Sequence, residues 1–107
     1  MTQSQASNRW KESGLEDWAV AKDLFNSKKY AHCLFFCHLT IEKLLKALCV
    51  KATDDAAPFG HDLVKLADHA KLSIDPQTTE ELKEMTTFNV EARYDVYKLA
   101  LHKKATP

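Results

Sequence analysis

Glycine and proline are rare in this chain of 107 residues, which contains two glycines and three prolines. The β-branched residues Val and Ile are also scarce, at seven in total against twenty-six Leu and Ala. Leu and Ala favour helices, whereas Val and Ile favour strands. The composition therefore predicts an all-α protein, and its length predicts one domain and excludes a two-domain enzyme.

An excess of charge of either sign is also missing, because 15 Lys and Arg balance 15 Asp and Glu. This balance argues against a polybasic nucleic-acid coat, so any phosphate-binding site must be local. No apolar run approaches the roughly 20 residues of a membrane span, and residues 1–11 lack the apolar stretch of a secretory signal peptide. We therefore expect a cytoplasmic protein that does not enter a membrane. The odd number of cysteines, three on one predicted helix, predicts reduced thiols.

The sequence lacks a glycine-rich phosphate loop, a Cys-x-x-Cys pair, an HExxH motif and a serine elbow, which removes most support for those reaction classes. His38 and Glu42 lie four residues apart and could face one metal ion from a helix. Cys33 and Cys37 have the same spacing. No further ligand pair accompanies them, so we favour a hydrogen-bonded core histidine, a core cysteine and a surface pair of Glu42 with Lys46. We expect neither a metal nor a cofactor.

Apolar residues at spacings of three and four predict an up-and-down bundle of four to five helices. The polar residues 1–12 are predicted to form a poorly ordered tail, so the helical domain is expected to span 13–107. Its first helix is predicted to begin at a capping box of Ser13 and Glu16. The later elements are predicted in order: a central helix over 30–51, a loop over 53–60, a short helix to about 70, a helix to about 87 that follows Asp75 and Pro76, and a last helix over 94–104.

Two candidate binding residues precede the last segment of the chain. His61 stands beside Asp62 at a predicted helix start, where backbone N–H groups can hold an anion, although helix capping is the favoured alternative. Lys43 belongs to residues 28–51, which carry five lysines against one glutamate. This stretch could attract phosphate or form a solvated face.

Arg93 is the single arginine of the predicted domain, because the other arginine lies in the predicted tail. Its planar guanidinium can bind a phosphate or a carboxylate through two hydrogen bonds. An internal ion pair with Glu91 or Asp95 is the alternative. His102 follows with eight residues between, which places the two side chains on roughly opposite faces of one helix.

Three blocks of this sequence resemble the HEPN domain family: HLTIEKLLKAL over 38–48, His61-Asp62-Leu63, and Glu91-Ala92-Arg93-Tyr94-Asp95. The blocks occur in the family's order, and the resemblance covers about residues 14–104. It implies a small up-and-down helical bundle, usually a homodimer, that often acts beside a minimal nucleotidyltransferase in a toxin–antitoxin pair. The third block resembles the ARYPD-type subgroup, with Val96 after Asp95 where proline usually precedes the aspartate. The resemblance also implies one more long helix after this point, so we expect the sequence to be a truncated or a short natural version of the domain.

The resemblance implies that Arg93 contacts phosphate. Our leading hypothesis is a domain that binds nucleotide or RNA and acts with a nucleotidyltransferase, the binding residues being Arg93, Tyr94, Asp95, His61 and Lys43. Many members are metal-independent ribonucleases with an arginine and a histidine, four to six residues apart, at a dimer interface. The second hypothesis is such an endoribonuclease, using Arg93 with His102 or His38. The third is a structural interaction module without catalysis.

Overall fold

The computed structural model describes residues 2–88 of the chain. Its helices are α1 (Gln3–Asn26), α2 (Tyr30–Thr53), α3 (Leu63–His69) and α4, which occupies residues 76–88 up to the end of the described part. The described chain contains no strand, so the prediction of an all-α bundle is confirmed. The predicted last helix over 94–104 lies outside the described residues.

α1 and α2 form an antiparallel pair along a seam of small residues, which we call the small-residue seam. On α1 the buried residues recur every seven positions, and three buried residues of α2 do the same: Ser7, Gly14 and Ala21 on α1, and Cys33, Thr40 and Ala47 on α2. A spacing of seven is nearly two helical turns, so each set occupies one face of its helix. Small side chains there allow the two helix axes to lie close together.

Gly14 marks a close approach of the two helices. A Cβ atom at this position would lie 3.3 Å from the Thr40 carbonyl oxygen and 3.3 Å from side-chain atoms of Lys43 and Leu44. Gly14 lies inside α1, which begins at Gln3. The prediction that a capping box of Ser13 and Glu16 begins the helix is therefore wrong. A residue that lowers intrinsic helix stability is used here because it lets α2 pack against the backbone.

The prediction that residues 1–12 form a poorly ordered tail is wrong for 3–12, which are helical. Thr2 and Gln5 make the capping box of α1, each side chain accepting a hydrogen bond from the other residue's backbone N–H. The buried Ser7 hydroxyl donates to the Ala47 carbonyl at 3.0 Å. The Lys46 ammonium lies over the Trp10 ring, 5.2 Å from the ring centroid. These tertiary contacts order a segment whose sequence has little apolar periodicity.

The hydrophobic core lies on the other side of α2, where α3 and α4 pack. Its buried members come from α2, α3 and the residue that follows α3, with partly buried residues packed around them: Leu45, Cys49, Leu63, Leu66, Ala67 and Ala70, surrounded by Ile41, Ile74, Leu82 and Met85. The Leu63 N–H donates to the Thr86 hydroxyl at 3.1 Å, which ties the start of α3 to α4. None of the helices within residues 2–88 has the length and apolarity needed to cross a lipid bilayer.

Local chemistry sets the other helix ends where the sequence predicts them. α2 contains no glycine or proline and ends at Thr53, and Asp54, which follows it as the C-cap, has left-handed backbone angles. The Asp62 carboxylate accepts the Val64 and Lys65 N–H groups at the start of α3. Asp75 accepts the Thr78 N–H at 2.6 Å and so caps α4. The predicted central helix, short third helix and Asp75 cap are confirmed.

Candidate functional site

Three polar side chains are buried in a row along α2, at positions 38, 42 and 46. His38, Glu42 and Lys46 are spaced by four residues and so share one face of the helix. They are 0%, 4% and 7% exposed. Burial of a charge is costly unless a partner compensates it. Glu42 Oε2 lies 3.3 Å from Lys46 Nζ, which supplies that compensation.

This buried polar row holds His61, which follows α2 in the chain. His61 Nδ1 donates to Glu42 Oε1 at 2.6 Å. His38 Nε2 donates to the backbone carbonyl of His61 at 3.1 Å. Two residues one helical turn apart thus hold both the ring and the backbone of one histidine. Because the carboxylate can only accept, the hydrogen is on His61 Nδ1, and Nε2 is the nitrogen with a lone pair when the ring is neutral.

The His61 ring is half-exposed, with 51% of its side-chain surface accessible, while the carboxylate that holds it is buried. It lines a surface pocket of about 300 Å³, which we call the His61 pocket; the other lining residues include Phe59, Gly60, Lys65, Leu66 and His69. Gly60 has φ +114°, a conformation that L side chains rarely adopt, and this turn separates Phe59 from His61.

Basic groups predominate among the ionisable side chains of the His61 pocket. Lys65 and His69 are exposed on α3, one turn apart, and His61 lies beside them on the rim. The one acid, Asp62, is engaged with the first N–H groups of α3. This arrangement can bind an anion, and an imidazole oriented by a carboxylate can also accept or donate a proton.

The family of the chain follows from its sequence as a whole. A sequence model of the HEPN domain matches residues 7–106. The chain belongs to the HEPN domain family. The match includes Ser7, the first buried residue of the small-residue seam, and so covers most of α1. No curated protein and no solved structure matches the chain.

Two of the sequence blocks that resemble HEPN domains meet in the structure. The block over 38–48 supplies His38 and Glu42, and the block over 61–63 supplies the histidine that both of them hold. The third block, with Arg93, Tyr94 and Asp95, lies outside the described residues, as does His102. The contact between the first two blocks shows that α2 and the loop after it together build a defined polar site in this HEPN domain.

Lys43, the other predicted binding residue within the described part, is engaged elsewhere. Its Nζ atom lies 2.7 Å from Asp17 Oδ2 and donates to the Ser13 hydroxyl at 2.7 Å, so it joins α2 to α1. Adjacent helix residues point about 100° apart, which separates Lys43 from Glu42 around α2. The structure therefore brings His61 to the pocket and uses Lys43 in helix packing.

Sequence reasoning identified His61 but missed what holds it. The predicted pairing of Glu42 with Lys46 is confirmed, but the pair is buried rather than on the surface. The predicted buried, hydrogen-bonded His38 is confirmed. A usable signal was present, because a histidine and a glutamate one turn apart on a helix that is predicted to be buried need hydrogen-bond partners. The turn before His61 is the segment that supplies them.

The cysteines of α2 form no second site of this kind. All three are free thiols, and Cys33 is buried while Cys37 is half-buried. Burial, with a smaller contribution from Cys33, raises the pKa of Cys37 to about 11, so this thiol is protonated at neutral pH. Burial also raises the pKa of Cys49, whose Sγ donates to the Leu66 carbonyl in the core. Among residues 2–88, no group of three or more His, Cys, Asp or Glu side chains is arranged to hold a metal ion.

Proposed function

We propose that this HEPN domain binds the phosphate of RNA or a nucleotide in the His61 pocket and acts together with a nucleotidyltransferase partner, as in toxin–antitoxin pairs. The observation that carries the proposal is the hydrogen bond of 2.6 Å between the exposed ring of His61 and the buried Glu42. It keeps Nδ1 occupied and orients the imidazole, so that Nε2 faces a ligand and, when it carries a proton, can donate a hydrogen bond to a phosphate oxygen.

The neighbouring charges support an anionic ligand. Lys65 and His69 lie on the same pocket; the Lys65 ammonium can donate a charge-assisted hydrogen bond to a phosphate oxygen, and a ring N–H of His69 can donate a further hydrogen bond. The resemblance to HEPN domains adds Arg93, with Tyr94 and Asp95, as the phosphate-binding block. We propose that Arg93 binds the same phosphodiester as His61, either in one chain or across a homodimer.

The binding test uses a substitution that keeps a donor at the position of His61 Nδ1 and removes Nε2. The amide of Asn can replace Nδ1 as a donor to Glu42, but the Asn side chain has no nitrogen at the position of Nε2. We expect His61→Asn to fold normally and to bind fluorescein-labelled single-stranded RNA or ATP at least tenfold more weakly, as measured by fluorescence anisotropy. Arg93→Ala should show a comparable loss. Absence of binding by the wild type, alone and with the nucleotidyltransferase, would contradict the proposal and favour a purely structural module.

A metal-independent endoribonuclease is the second candidate function, and the tautomer of His61 favours it. A ring held at Nδ1 by a carboxylate offers Nε2 as a proton acceptor for a ribose 2′-hydroxyl, with Arg93 binding the phosphate. His38 is fully buried and donates to the His61 carbonyl, so it positions the loop and does not reach a substrate. The sequence alternative that pairs Arg93 with His102 has the same chemistry with a different histidine.

Incubation with single-stranded RNA in excess chelator tests the enzyme. If His61 is the proton acceptor, the wild type cleaves, while His61→Asn and Arg93→Ala do not. Cleavage that is lost only in His102→Ala and Arg93→Ala would instead assign the histidine role to His102. If the wild type does not cleave while it still binds RNA, the binding function stands without catalysis.

A further inference from the structure

Phe59 is the most exposed large hydrophobic residue of the described chain. Its relative exposure is 102%, so its ring contributes nothing to the core. Isolated exposed hydrophobic residues are common on proteins, and exposure alone does not indicate a site. The position of Phe59 is what distinguishes it, because it lines the same pocket as His61.

The surroundings of Phe59 combine one aromatic face with several basic groups. Lys65, His69 and His61 line the same pocket, and the flanking Pro58 and Gly60 set the course of the loop. An exposed aromatic ring beside cationic side chains is the combination that binds unpaired nucleotides, with the base on the ring and the phosphate on the cations. The pocket of about 300 Å³ is at the lower limit for small-ligand sites, which suits one nucleotide unit.

We propose that Phe59 is a stacking surface for an unpaired nucleobase, so that the ligand of the His61 pocket is single-stranded RNA rather than duplex RNA. This inference rests on the proposed phosphate-binding function and adds the substrate class and the residue that selects it. In a duplex the base faces are covered by neighbouring base pairs, and a protruding ring cannot reach them. Lys65 and His61 would then hold the phosphate next to the stacked base.

The test compares substitutions of two exposed aromatic residues. Phe59→Ala is expected to weaken binding of a fluorescein-labelled single-stranded RNA of about twelve nucleotides by about 5- to 150-fold, the range of base stacking on one aromatic ring. Phe59→Tyr should retain wild-type affinity, because it keeps the aromatic face. Phe25→Ala is the matched control, since Phe25 is 60% exposed but lies on α1, away from the His61 pocket.

Salt dependence separates stacking from phosphate contact. Lys65→Met should reduce the slope of log affinity against log salt concentration by about 0.7, the value for one phosphate contact on a single strand. Phe59→Ala should lower affinity and leave this slope unchanged. Annealing the complementary strand to the labelled RNA should weaken binding to the wild type at least as much as Phe59→Ala does.

The outcomes distinguish this inference from the function on which it rests. If the wild type binds the RNA but Phe59→Ala binds as well as Phe25→Ala does, stacking on Phe59 is wrong and the phosphate site stands. Equal affinity of the wild type for the single strand and the duplex would also show that stacking on Phe59 is wrong while the phosphate site stands. If the wild type binds neither form of the RNA nor ATP, the proposed function fails, and the stacking role fails with it. If it binds ATP alone, the phosphate site stands and the inference of an RNA ligand is wrong.

Discussion

The two sides of α2 use similar polar chemistry for different ends. On the side of α1, Lys43 forms an ion pair with Asp17 and a hydrogen bond with Ser13, and these contacts hold the two helices together. On the side of the loop before α3, Glu42 is paired with Lys46 and also holds His61, whose ring is half-exposed. The first side closes an interface, whereas the second presents a titratable ring to solvent. Charged residues on one helix can therefore not be assigned to function from their type alone.

Burial explains why the second side is the more sensitive one. Glu42 is 4% exposed and lies within 3.7 Å of ring or ammonium nitrogens from three residues, which are His38, Lys46 and His61. The side chains of Lys43 and Asp17 are 23% and 14% exposed, so water and salt screen their attraction more than that of Glu42, although Asp17 Oδ2 itself is buried. A substitution that removes one partner should accordingly cost much more free energy of unfolding at Glu42 than at Lys43.

Glu42→Ala is expected to produce the largest effect. It leaves Lys46 buried without its carboxylate and releases His61, and breaking a buried pair in this way costs about 3–5 kcal/mol. Urea unfolding followed by circular dichroism measures the loss. Glu42→Gln should cost less, because the amide oxygen can still accept from His61. A Glu42→Ala protein as stable as Lys43→Met would show that the two sides of α2 do not differ in this way.

Gly14→Leu is expected to have the next largest effect, because it places a large side chain where α1 and α2 lie close together. A side chain there meets the Thr40 carbonyl and neighbouring side chains of α2, and forced packing of this kind costs about 1–3 kcal/mol. Gly14→Ala should be nearly neutral, since its contacts at 3.3 Å offset a gain of about 1 kcal/mol in helix propensity. If the Gly14→Leu variant and the wild type have the same melting temperature, the two helices do not pack closely along the small-residue seam.

Lys43→Met tests the side of α2 that packs against α1. We expect a loss of about 1–2 kcal/mol, smaller than for Glu42→Ala, because both side chains are partly exposed and the methionine retains much of the apolar stem, although Asp17 Oδ2 itself is buried. The affinity for single-stranded RNA should not change, in contrast to His61→Asn. A fall in affinity without a change in stability would instead support the sequence-based prediction that Lys43 binds nucleotide.

The parts of the fold that depend on local chemistry could be predicted from the sequence. α2 has no helix breaker, and Asp62 and Asp75 are capping residues, so the central helix and the starts of α3 and α4 follow from neighbouring residues. The first turns of α1 could not be predicted in that way, because what buries Ser7 is a contact with Ala47, forty residues away. Apolar periodicity overlooks a seam of serine, glycine and alanine.

The candidate site was predictable to the same limited extent. His61 stood out because it follows a turn with proline and glycine, which is information within a few residues. Its hydrogen bonds to Glu42 and His38 span 19 and 23 positions, and only the packing of the loop against α2 creates them. The sequence around His61 therefore indicates that its side chain is exposed at a turn, while only the tertiary structure shows that Glu42 and His38 hold it.

Asp75 should show the smallest effect, and it contrasts with Glu42 because its carboxylate is fully exposed. Hydrogen bonds from Thr78 lower the pKa of Asp75 below its ordinary value of 3.8. A lowered pKa means that the charged form stabilises the fold above pH 3.8, and that this contribution disappears as the pH falls through the lower value of the folded state. Asn also caps helices, so Asp75→Asn removes the charge and keeps the cap. We expect the wild type to melt slightly higher than Asp75→Asn at pH 7 and the two melting temperatures to converge in strong acid. A difference that stays constant with pH would assign the role of Asp75 to the cap alone.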